Sequence, residues 1–259
     1  MISVHDLGVI RALWQRDLLR LAKERTRWIG VVAQPLLFWF VIGSGMATIF
    51  TMPGLGGMSY LEFFYPGILV MIVLFTTIFA TISVVEDRQS GFLQTVVVSP
   101  GSRASMVLGK IAGVTSITLI QTALFLALAP VAGYAYGDIA WVRLILVVIL
   151  GCAGLTGVGF TIAWALNSTQ GYHAIMSVVL LPLWVVSGAM FPVGKIAWLR
   201  VVMTVNPMSY IVSGVRLAMA PDKDVPGPGF ALSLIALLIF ALAATAIAVR
   251  VSRKSSARP

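Results

Sequence analysis

The chain has 259 residues, of which 59% are hydrophobic and only 10% charged, whereas an average soluble domain is roughly a quarter charged. That composition excludes an ordinary water-soluble domain and points to a membrane protein. The formal net charge of +9 does not indicate a nucleic-acid binder, because Lys and Arg are sorted by loop rather than gathered on one soluble face.

Residues 1–27 come first. Leu7, Ile10, Trp14, Leu18 and Leu21 recur at three- and four-residue steps, while Arg11, Gln15, Arg16, Lys23 and Glu24 fall mostly elsewhere around the helix. The pattern predicts an amphipathic helix lying flat on the inner membrane surface, its basic residues against anionic headgroups and its apolar stripe in the interface. Such a helix either serves as an anchor alone or also touches a cytosolic partner. A secretory signal places its apolar run directly behind a short basic region; here the first 27 residues are mostly amphipathic, so no cleavage is expected.

A spanning helix needs about 20 mostly apolar residues, because the hydrocarbon core is about 30 Å thick and every backbone polar group must be bonded within the helix. Six segments qualify, at 28–50, 63–85, 111–136, 141–166, 173–193 and 229–249, so the predicted fold class is all-α and polytopic. Between the first two, TMPGLGGMSY reads as a short uncharged turn. The fourth and fifth share a stretch, 144–194, without Lys, Arg, Asp or Glu, and NSTQGY at 167–172 supplies the turn between them. Gly109 and Gly113 at the third span's entrance, and Gly151, Gly154, Gly157 and Gly159 in the fourth, permit close helix approach. The lone Cys152 reads as a small buried apolar residue. With the amino terminus inside, thirteen Lys and Arg fall on the cytosolic side and five outside, which places both termini in the cytosol.

After the fifth span come two apolar pieces, 196–205 and 208–220, each too short to cross, with Asn206-Pro207 breaking the helix between them. They read as short helices that dip into the outer leaflet and return beside a pathway or mouth, since irregular backbone at membrane depth must be covered by protein or line a wet cavity. Arg200 and Arg216 there should either snorkel to the headgroups or be paired.

No catalytic constellation accompanies these spans. The two histidines, His5 and His173, are far apart and no metal-ligand spacing or GxSxG elbow occurs. Acids are almost absent from the span interiors, which removes the usual parts of a proton relay. A phosphate-binding loop needs GxxxxGK followed by Ser or Thr; ASMVLGKI imitates only its end, with Ala104 at the first glycine position and Ile111 at the hydroxyl position, so ATP hydrolysis by this chain is not expected.

The stretch EDRQSGFLQTVVVSPGSRASMVLGK at 86–110 interrupts the apolar sequence between the second and third spans. Phe92, Leu93, Val96 and Val97 would give a short helix an apolar side, and Pro100-Gly101 forces a break. Such a helix could insert into a groove on a soluble partner, or the segment is a solvated or lipid-lying loop. Here the sequence resembles the permease subunits of ABC-2 type ABC transporters. Their pattern of an acidic/Arg entrance, Gly, an apolar-Leu pair, Ser/Thr-Pro, Ser-Arg and Gly-Lys is matched by Glu86, Asp87, Arg88, Gly91, Phe92, Leu93, Ser99, Pro100, Ser102, Arg103, Gly109 and Lys110. PGIL at 66–69 and NPMSYIVSGVR at 206–216, with Asn206, Pro207, Tyr210 and Arg216, are further echoes. The sequence departs at Gln89 and Gln94, where relatives often carry Glu.

The resemblance implies a homodimer, or a heterodimer with a related permease, in the bacterial inner membrane. Two cytosolic ATPase subunits would drive it, binding the ATP and Mg that this chain does not, so that the chain is not an enzyme by itself. It implies that residues 1–27 form an interface helix, that 28–250 form the transmembrane domain and that 251–259 form a basic cytosolic tail. Within the domain, 86–103 would be the coupling segment that docks on the ATPase and 196–220 the re-entrant pair. The expected function is export of a lipid-like, amphipathic or glycan substrate; the alternative is an ATP-independent scaffold or lipid flippase. Trp39, Phe75, Phe79, Phe125, Trp164 and Trp184 suit core packing, lipid contact or an amphipathic cargo.

Overall fold

The computed structural model describes residues 3–23, 25–47, 58–92, 101–192, 196–223 and 227–254. Among them the chain is all helical: α1 (Val4–Lys23), α2 (Arg25–Ala47), α3 (Tyr60–Gln89), α4 (Arg103–Leu126), α5 (Trp141–Ala165), α6 (Thr169–Trp184), α7 (Ala197–Val205), α8 (Pro207–Met219) and α9 (Phe230–Lys254). A 3-10 turn at Ala129–Ala132 follows α4, and a π turn at Val185–Ala189 extends α6.

Among the described residues, five helices are long and apolar enough to cross a membrane: α3, α4, α5, α6 with its π turn, and α9. Helix α2 covers most of the first predicted span, and its described side chains are apolar over Ala33–Met46.

Helix α3 is the axis of the bundle. It carries no charge from Phe63 to Val85 and is buried on nearly every side there, as expected for a helix that is hydrophobic all round. Around it stand α2, α4, α5, α6 and α8. Helix α9 packs on α5 and α8 and turns Leu232, Ile235, Leu238, Ile239, Leu242 and Ile247 outward. A stripe of exposed apolar side chains at helical spacing is the surface expected to face lipid.

The core is held by aromatic packing and by polar groups answered inside it. Tyr65 stacks on Phe125 at 4.6 Å and meets the edge of Trp39 at 5.3 Å, arrangements worth about 1 kcal/mol each beyond their area. Trp39, Phe125, Trp164 and Trp184 are buried, so four of the six singled-out aromatics belong to the core. Pro66 lies inside α3 and cannot donate to the Glu62 carbonyl one turn earlier. The hydroxyl of Tyr134 donates to that carbonyl instead, at 3.0 Å.

The predicted boundaries of the second and third spans move. The second span runs on through Glu86, Asp87 and Arg88 to Gln89, so these residues are the last turn of α3 rather than the start of a loop. The third begins at Arg103 rather than at residue 111 and ends at Leu126, where Pro130 and the left-handed Gly133 set the following turn. Ser102 caps it: its Oγ accepts from the Ser105 amide at 3.2 Å. Lys110 is therefore inside α4 and buried, not in a polar loop.

Candidate functional site at the charged end of the bundle

The last turn of α3, the first two turns of α4 and the body of α1 meet at one end of the bundle. Helix α1 lies along α4, which it can approach closely because a Cβ at Gly113 would stand 2.9 Å from Asp17 Oδ2, and one at Gly109 would stand 3.1 Å from Leu13 Cβ. The face of α1 that does this overlaps the predicted stripe in part: Ile10 and Trp14 meet α4, Leu18 is half-buried and Leu7 is exposed, and among the described side chains of α1 the buried ones are Asp6 and Asp17. The two acids are about three turns apart and so share one face.

Each acid has a partner on α4. Asp6 Oδ1 accepts from the Ser102 amide at 2.7 Å, and Oδ2 accepts from the Ser3 amide and hydroxyl at 2.9 Å. These amide donors hold the Asp6 carboxyl well below the usual carboxylate range. Asp17 Oδ2 accepts from Lys110 Nζ at 2.8 Å, and the same ammonium donates to Ser83 Oγ on α3 at 2.7 Å. Both side chains of this pair are under a tenth exposed, at 8% for Lys110 and 5% for Asp17. Trp14 Nε1 adds a hydrogen bond to Ser116 Oγ at 2.9 Å.

The predicted coupling residues continue this network. Arg16 pairs with Asp87, and Arg20 with Glu86 at 2.6 Å. Arg16 also lies over the Phe92 ring, 4.4 Å from its centroid. Arg88 donates to the Trp164 carbonyl near the end of α5, and Gln89 Nε2 donates to the Asn167 carbonyl in the following turn at 2.7 Å. A Glu at position 89 would have no proton to give, so the departure from Glu there has a use within this chain. Gly91 stops α3: its φ of +75° is left-handed, which costs glycine nothing and other residues roughly 1 kcal/mol.

Glu86, Asp87 and Phe92 are thus brought to α1 and Arg88 to α5, Gly91 follows the end of α3 and Arg103 opens α4; Leu93, Gln94, Ser99 and Pro100 lie outside the described residues. Sequence reasoning placed Arg16 on the polar face of a surface helix and overlooked Asp6, Asp17 and Arg20. The signal available for the two acids was their shared face on an otherwise amphipathic helix.

The second predicted set lies near the opposite end of α3. Asn206 caps α8, with Oδ1 accepting from the Met208 amide at 3.0 Å and Nδ2 donating to the Leu183 carbonyl at 2.6 Å. Pro207 is the first residue of α8, and the Tyr210 hydroxyl donates to the Thr204 carbonyl at 2.7 Å, closing α7 onto α8. Arg216 does not snorkel but is held inside by backbone carbonyls. It is 3% exposed, donates to the Gly188 carbonyl at 3.0 Å and to the Phe63 carbonyl at 3.4 Å, and lies over the Phe63 ring at 4.1 Å. Phe63 and Asp87 are about 36 Å apart along α3 at the usual helical rise, so the two sets are separate sites.

Among the described residues the chemistry of the charged end is that of a joint: ion pairs and hydrogen bonds fasten α1, α3, α4 and the α5–α6 turn to one another.

The ABC-2 type transporter family profile matches residues 8–220. Among known proteins, the chain is similar to a putative transport permease ycf38 of Porphyra purpurea, 27% identical over 83% of this chain and 75% of the relative. A second such permease, from Cyanophora paradoxa, is 25% identical over 89% of this chain and 79% of its own. Nodulation protein J of Neorhizobium galegae is 26% identical over 88% of this chain and 87% of the relative. The match spans α1 to α8, both sites included, and this multi-pass membrane chain belongs to the ABC-2 type transporter family.

Proposed function

We propose that the chain is the permease subunit of an ATP-binding cassette exporter, forming the pathway for a lipid-like, amphipathic or glycan substrate. Separate cytosolic ATPase subunits bind the ATP and Mg and do the hydrolysis. In this reading α2 is the first of six spans, both termini are cytosolic in a bacterial inner membrane, and two permease chains pair. The charged end is the cytosolic end, α1 is the interface helix, and α7 and α8 are re-entrant helices in the outer leaflet.

The observation that carries the reading is the joint around Asp87. The last turn of α3 is tethered on one side by Glu86 and Asp87 to Arg20 and Arg16 of α1, and on the other by Arg88 and Gln89 to the end of α5 and the turn after it. A push on this segment or on α1 would be passed to helices that run the depth of the membrane, the kind of contiguous packed link along which two states can be biased.

The test is to co-purify the full chain with ATPases encoded beside it and measure ATP turnover in vesicles. A bound ATPase whose turnover changes on Asp87→Asn or Glu86→Gln, with the complex still assembled, is the expected result. If no candidate ATPase binds, and neither replacement alters assembly or turnover, the ATPase-driven reading is wrong and an ATP-independent scaffold or flippase takes its place.

A further inference from the structure

A cavity of about 290 Å³ lies where α7, α8 and the π turn of α6 meet the start of α9. Most hydroxyls around it are already spent as donors to backbone carbonyls: Ser187 to Trp184, Thr204 to Arg200, Tyr210 to Thr204 and Ser213 to Pro228. Two lining residues keep a buried polar atom with no partner, Ser209 at its Oγ and Arg216 at its Nε. Both residues are 3% exposed.

Arg216 is also uncompensated in charge. Its guanidinium meets two carbonyls and an aromatic face, and no carboxylate pairs with it among the described residues. Burying an unpaired charge and leaving a donor unmade are both costly. Each cost falls if the cavity holds an oxyanion, which accepts from guanidinium and hydroxyl alike.

We propose that this cavity binds the phosphate-type oxyanion of an amphiphile headgroup, with Arg216 as counter-charge and Ser209 as neutral donor. Its volume is at the lower end of small-molecule sites, which suits a headgroup rather than a whole amphiphile. Leu232, which lines it from α9, is itself exposed on the helix's outward apolar face, where acyl chains would lie. The binding needs no ATPase and no transport, so it stands or falls apart from the proposal above.

Native mass spectrometry of the full chain, presented with equal amounts of phosphatidylglycerol and of diacylglycerol, which has the same acyl chains and no phosphate, tests it. Wild type should retain phosphatidylglycerol about tenfold over diacylglycerol, the ratio that one charge-assisted hydrogen bond carries. Ser209→Ala should lower that ratio and Leu232→Trp, which fills the cavity from α9, should bring it close to one. Arg216→Gln should do the same if it folds, and the other two variants decide the matter if it does not. Displacement of phosphatidylglycerol by millimolar inorganic phosphate would support the oxyanion site and identify a free anion as an equal occupant. Equal retention of the two lipids by wild type, or a preference that survives both Ser209→Ala and Leu232→Trp, overturns the assignment.

Discussion

Lys110 and Asp17 make the sharpest quantitative test of the joint. Both are buried, so the pair escapes the solvent screening that makes surface ion pairs worth little. Removing one partner of a buried pair costs about 3–5 kcal/mol, because the other charge is left uncompensated. The two single changes should not be equal. After Lys110→Met, Asp17 still has Arg16 at 3.7 Å, which places the loss near the lower end, about 3 kcal/mol. After Asp17→Leu, the ammonium keeps the Ser83 hydroxyl, a neutral partner, and the loss should approach about 5 kcal/mol. The double variant removes both charges and, as with other buried pairs replaced by apolar residues of similar size, should lie within about 1 kcal/mol of wild type. Thermal unfolding in one detergent reads this as losses of about 9 °C for Lys110→Met and about 15 °C for Asp17→Leu, with near-recovery in the double. If each single change costs under about 1 kcal/mol, or if the two losses add, the pair is not a buried, coupled fastening and the joint is misread.

Three further outcomes follow from named contacts. Asp6→Asn should loosen α1 from the start of α4, read as faster hydrogen exchange in α1. Because the Asp6 carboxyl is held below its ordinary value in the folded chain, its contribution is present at neutral pH and is lost only as pH falls below about 4; a difference between wild type and variant that fades between pH 8 and 6 would refute this. Tyr134→Phe removes the donor to the carbonyl that Pro66 cannot serve, costing about 1–2 kcal/mol, and adding Pro66→Ala should recover part of the loss by restoring an amide there. Gly91→Ala should cost about 1 kcal/mol from its left-handed backbone alone, since a Cβ there would meet nothing within 4 Å; a loss of several kcal/mol would point to contacts beyond those described.

Composition and the lengths of the apolar runs were enough to read an all-helical membrane chain, because a bilayer leaves a backbone so few ways to satisfy its polar groups. The break at Asn206-Pro207 was equally legible: proline restricts the residue before it locally, and α7 and α8 end and begin beside that pair. The spacing of Glu86, Arg88, Gly91 and the residues beyond them marks the family by itself. What the sequence could not settle was which polar residues face inward. A charge next to a span reads as solvated by default, and only the packing of α1 on α4 turned Asp17 and Lys110 into a buried pair. Arg216 likewise could have snorkelled; the π turn that presents the Gly188 carbonyl, and α3 beneath it, decided that it stays inside. Local pattern fixes where helices form, whereas the partners of a charge depend on residues far away in sequence that only the assembled bundle brings within hydrogen-bonding reach.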